Sequence, residues 1–112
     1  MKPSRHSNAL QQRVYTAPSP IHGLGCFARI NFIAGELIGI FEGVEVNEDG
    51  AHVLWFYNTE TQVLIRRNGT NLLRWLNHGE LPNAIFDGFE LYALSDIAAD
   101  DEITIDYYSA AP

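Results

Sequence analysis

Apolar residues along this chain come in short runs, each cut off within a few positions by Gly, Pro, Asn or Asp. That rhythm predicts many short strands and frequent turns, hence a mainly β domain. Val14-Tyr15 begins the first apolar stretch, and Cys26–Ala28, Leu37–Phe41 and Gly43–Val46 read as further strands. Asn47-Glu-Asp-Gly50 is a turn signal, because Asp-Gly tolerates the positive φ of a tight turn. His52–Tyr57 and Gln62–Ile65, joined by Asn58-Thr-Glu-Thr61, predict a hairpin, and Asn68-Gly69 reads as another turn. Leu72, Leu73, Trp75 and Leu76 crowd one window and predict a brief helical turn. Tyr92–Leu94 and Ile103–Ile105 frame a last pair of strands around the 96–101 loop. Residues 1–12 are polar and read as a flexible N-terminal segment, leaving 13–112 as one domain.

The 112 residues suit one small core and not two, and the 46% hydrophobic share is ordinary for a globular domain. The net charge of −7 argues against direct binding to a phosphate backbone, which needs clustered Lys and Arg. Only Arg66-Arg67 are adjacent among the basic residues. An acidic surface instead favours encounter with a basic protein or peptide, or simply keeps the chain in solution. The lone cysteine, Cys26, permits neither an internal disulfide nor a Cys-based zinc site, so no metal is expected. No apolar run approaches the ~18 residues of a membrane span, and no signal peptide is visible, so the expectation is a soluble, cytoplasmic protein.

Two segments carry candidate chemistry. Gly23-Leu-Gly25 places two residues without Cβ around one apolar side chain, which serves either a plain turn or close backbone approach to a ligand. It lacks the third glycine and the strand–helix frame of a dinucleotide fingerprint. The second segment runs from Arg74-Trp-Leu-Asn-His78 through Pro82-Asn83 to Glu102-Ile-Thr-Ile-Asp-Tyr107. Asn77 offers both a donor and an acceptor without adding charge, so it suits an ammonium or a carboxylate. Taken singly, His78 and Tyr107 read as packed core residues.

In this order and separation the segments resemble the SET-domain family of protein-lysine methyltransferases. Gly23, Gly25, Phe27 and Ala28 match the family's GxG and the aromatic–alanine pair after it; Gly35-Glu36 and Gly43 match its later turn and strand-closing glycine. Arg74, Asn77 and His78 match "NLARFINH", and Glu102–Tyr107 match "EELTxDY". The resemblance spans roughly residues 13–108 and implies a β-clip of short twisted sheets, one or two short helical turns and a knot-like C-terminal threading.

The resemblance implies transfer of a methyl group from S-adenosylmethionine to a lysine of a basic protein. It places His22, Gly23, Leu24, Gly25, Arg74, Asn77, His78 and Tyr107 around the cofactor and makes Tyr107 the active-site tyrosine. Trp55, Phe56 and Tyr57 are candidates for the lysine channel; strand parity puts Trp55 and Tyr57 on one face, and both are carried as catalytic candidates. The chain departs from the family at Gly79 and Glu80, which replace a serine and a zinc-cluster cysteine, and at Asp101, which replaces a glycine or glutamate. Phe41 stands where many members have a tyrosine, and one hydroxyl fewer near the amine implies higher methylation states. The small size implies a minimal viral or bacterial type and a possible homodimer. The alternative is a non-catalytic SET-like module that binds peptide or cofactor and transfers nothing.

Overall fold

The computed structural model describes residues 5–107, with side chains from residue 9 onward. Helix α1 (Arg5–Arg13) runs into β1 (Val14–Pro18), which turns back as β2 (Leu24–Ala28). Then come β3 (Leu37–Ile40), β4 (Gly43–Val46), β5 (Val53–Asn58), β6 (Val63–Gly69), a 3-10 turn over Leu72–Trp75, β7 (Asn77–His78), β8 (Ala84–Asp87), β9 (Glu90–Ala93) and β10 (Glu102–Ile105). They form three small sheets, ordered β1-β2-β10-β7, β3-β9-β8 and β4-β6-β5. This is the mainly β architecture that the turn-punctuated sequence predicts. The last residues of the expected C-terminal threading, 108–112, lie outside the described residues.

The structure departs from the sequence reading at three places. Within the supposedly flexible 1–12 segment, residues from Arg5 onward are helical, and Leu10 is 2% exposed against the core. A Cβ at Gly39 would stand 2.6 Å from Leu10 Cδ1, so that glycine makes the seat for the helix. Arg13 closes it by donating to Ile38 O and Leu37 O and pairing with Glu36. Next, Asn68-Gly69 does not turn; it continues β6, opposite Val44 and Gly43. Last, β8 was not foreseen, although Ala84 and Phe86 are buried and alternate with exposed Ile85 and Asp87. The β5–β6 hairpin forms where expected, with Asn58 Oδ1 accepting from the N–H groups of Glu60 and Thr61 at 2.9 and 3.2 Å.

One core runs from Leu10 to Ile105, with Val14, Cys26, Phe32, Ile38, Leu91 and Ile103 fully enclosed. The Cys26 thiol donates to Leu72 O at 2.9 Å, and burial pushes it up to about 12 from 9.0. The unfolded chain releases that proton at lower pH than the folded one. The stability this thiol contributes is therefore present below about pH 9 and lost as pH rises toward 12. Urea melts should show a steep alkaline loss over that window in the wild type and a shallower one in Cys26→Ala. Parallel pH profiles would contradict the assignment.

Candidate active site

The β1–β2 connection is a compact loop. Ser19 N–H donates to Gly23 O at 2.8 Å, and Ser19 Oγ accepts from Ile21 N–H at 3.0 Å. Gly23 has φ +47, the left-handed region that favours glycine, and the space where a side chain would stand is open. Gly25 answers a different need: its Cβ would lie 2.3 Å from Glu102 Oε2 and 3.0 Å from Ser19 Cβ. One glycine thus bends the backbone of an open loop, the candidate cofactor cradle, while the other admits a carboxylate.

β7 pairs in parallel with β10, Asn77 opposite Thr104 and His78 opposite Ile105. This joins the two distant motif segments as neighbouring strands. Asn83 holds β10 from the side: its amide nitrogen donates to Glu102 O and its oxygen accepts from Thr104 N–H, both at 2.9 Å. Asn77, 6% exposed, donates from Nδ2 to His22 O at 3.0 Å, Leu24 O at 3.2 Å and Glu102 Oε2 at 3.0 Å. Asn77 therefore ties His22 and Leu24 of the glycine-containing loop to Glu102.

His78 and Tyr107 stand beside it. His78 Nδ1 accepts from Tyr107 N–H at 3.1 Å, and the two rings are 5.6 Å apart. The Tyr107 hydroxyl donates to Leu76 O at 2.6 Å, and desolvation raises its pKa above the ordinary phenol value. Its single proton is committed to Leu76 O, so the phenol oxygen faces any further partner as an acceptor.

Tyr107 also lines a cavity of about 220 Å³ whose walls include Phe41, His52, Leu54, Trp55 and Phe86. Parity is as expected, since Trp55 and Tyr57 are 39% and 38% exposed while Leu54 packs toward the core. Trp55 reaches the cavity, but Tyr57 is not among its lining residues, and Phe56 turns to Phe89 at 6.2 Å between ring centres. Leu54 is a wall residue that sequence reasoning missed; its inward parity was the available signal. His52 was missed too. Its Nδ1 lies 3.1 Å from Arg74 O, a carbonyl that can only accept, and its ring meets Trp75 edge-on at 4.8 Å. Arg74 lines the cavity while its guanidinium donates to Thr70 O at 2.8 Å and Asn71 O at 3.1 Å, which ties down the 3-10 turn. Phe41 is seated against Gly69, where a Cβ would come within 2.6 Å of its Cζ. Asp100 takes the left-handed backbone before β10, with φ +73.

The SET-domain family model matches residues 23–108. A histone-lysine N-methyltransferase of Emericella nidulans, described as H3 lysine-4 specific, is 30% identical over 125 aligned residues; the match covers 89% of this chain and 10% of that protein. The chain thus spans about a tenth of that relative's length. A Plasmodium falciparum structure solved as a candidate histone methyltransferase superposes with a TM-score of 0.65 at 24% identity, covering 85% of this chain and 92% of that one. The methyltransferase domain of human PR domain-containing protein 2 gives 0.69 at 18% identity, over 91% and 81%. Those two likenesses carry the fold. With a glycine-bent loop, a buried Asn77 beside a half-buried His78 and a tyrosine at the cavity edge, the chain belongs to the SET-domain family.

The cradle's chemistry fits S-adenosylmethionine. Open space faces Gly23, and the neighbouring groups are an amide, backbone carbonyls, an imidazole and the Glu102 carboxylate behind Asn77. A ligand carrying ammonium, carboxylate and adenine together needs such mixed donors and acceptors.

Proposed function

We propose that this domain is an S-adenosylmethionine-dependent protein-lysine N-methyltransferase that acts on a lysine of a basic protein. The observation that carries the reading is Tyr107, which borders the 220 Å³ cavity on one side and the Asn77–His78 cradle on the other. Bound S-adenosylmethionine supplies a methyl group on a sulfonium centre. The residues supply the rest. Phe41, Leu54, Trp55 and Phe86 give the cavity a largely apolar wall, which disfavours a charged lysine amine. Tyr107, held by Leu76 O, offers its oxygen to the neutral amine and fixes its direction. The net charge of −7 favours encounter with a basic partner.

Phe41 in the cavity wall supports the expectation of more than one methyl per lysine, since no hydroxyl from that position restrains the amine. The test is methyl transfer from labelled cofactor into a panel of basic proteins, histones included, with products resolved by mass spectrometry. Dimethyl or trimethyl lysine is expected. A single added methyl at saturating cofactor would remove the Phe41 argument. Cofactor binding without any transfer would favour the non-catalytic alternative.

A further inference from the structure

We infer that Glu102 is the positioning residue of the cofactor cradle, setting which end of the Asn77 amide faces the ligand; the inference rests on the methyltransferase reading above. Both Glu102 carboxylate oxygens accept from Ser19 Oγ at 2.8 Å, and Oε2 also accepts from Asn77 Nδ2 at 3.0 Å. The carboxylate lies against Gly25, in the room that the missing Cβ leaves. Ser19 passes the restraint along the loop through Ile21 N–H and Gly23 O. The loop is thereby tied at Ser19 and, through Asn77, at His22 and Leu24.

An ionised carboxylate only accepts hydrogen bonds. Together with the carbonyls of His22 and Leu24, it surrounds the amide nitrogen with three acceptors. This arrangement admits one orientation of the amide, NH₂ toward Glu102 and Oδ1 away from it. Oδ1 is then presented as an acceptor, which suits the ammonium of an amino-acid ligand and not its carboxylate. The Glu102 main chain is anchored separately, by Asn83 Nδ2 on its carbonyl at 2.9 Å. A side-chain change therefore leaves the strand tied while removing the obligate acceptor.

The test compares two ligands in calorimetry: S-adenosylmethionine, and methylthioadenosine, which keeps the adenine and ribose but lacks the amino-acid end. Glu102→Gln is nearly isosteric and gives Asn77 a possible donor to face. It should weaken S-adenosylmethionine by tenfold or more and leave methylthioadenosine within twofold. Ser19→Ala, which removes one hydroxyl, should weaken S-adenosylmethionine three- to fivefold with the same selectivity, and it decides the matter if Glu102→Gln fails to fold. Unchanged S-adenosylmethionine binding in the variants, or equal losses for both ligands, would overturn the role and leave a packing residue. Wild-type protein that binds neither ligand would instead overturn the cofactor reading, and this role with it.

Discussion

Tyr107→Phe should lower methyl transfer by about 10²-fold or more while changing the affinity for S-adenosylmethionine only a few-fold. The ring packed against His78 remains, and so does the main-chain hydrogen bond to His78 Nδ1. What disappears is the oxygen that Leu76 O holds in place at 2.6 Å. Loss of alignment at a reacting centre is expected to cost on that scale. The pH dependence separates this role from acid–base chemistry. Tyr107 has its pKa raised above 10.0, so it stays a neutral phenol throughout the working range. A rate that climbs with pH then reports the substrate amine losing its proton, and the climb should survive in Tyr107→Phe at a lower level. A variant with wild-type turnover would remove Tyr107 from the reaction. A variant whose pH profile goes flat would make the tyrosine the titrating group.

Asn77→Ala should abolish measurable cofactor binding and also lower stability by about 1–3 kcal/mol, the range for stranding buried hydrogen-bond partners. Its nitrogen holds His22 O, Leu24 O and the Glu102 carboxylate from a position that is 6% exposed. Alanine leaves those acceptors without their donor. Asn77→Asp is the sharper variant, because it keeps the volume and sets a second carboxylate against the first. It should be at least as damaging, and more so at neutral than at mildly acidic pH. Calorimetry paired with thermal melts distinguishes the outcomes. A folded Asn77→Ala protein that binds cofactor at wild-type affinity would move the cofactor elsewhere.

Much of this was legible in the residues, for physical reasons that differ from element to element. β2, β3 and the β5–β6 hairpin announced themselves through apolar runs between turn formers. α1 did not, because its sequence is polar and its attachment depends on Leu10 meeting Gly39 and on Arg13 meeting Glu36, Leu37 and Ile38. Asn68-Gly69 looked like a turn because glycine usually marks one. Here Gly69 is a strand residue whose missing side chain admits Phe41 and Arg74. The Asn-His pair and Tyr107 were readable as a compound pattern. Tyr57 shares a face with Trp55 yet does not line the cavity, because parity says which residues share a face, not how far along it the cavity extends. The meeting of Glu102, Gly25 and Ser19 joins positions far apart in the chain, and no local pattern signals it.

β10 lies between β2 and β7 in its sheet, so a segment made late is the middle plank of the platform. Ser19 and Gly25 wait for Glu102, and His78 waits for Tyr107. During synthesis, a nascent chain ending before residue 102 would hold most of its core residues and no assembled site. Closing such long-range contacts is the slow part of folding a β domain. Competence to bind cofactor should therefore arrive abruptly, with the insertion of one four-residue strand.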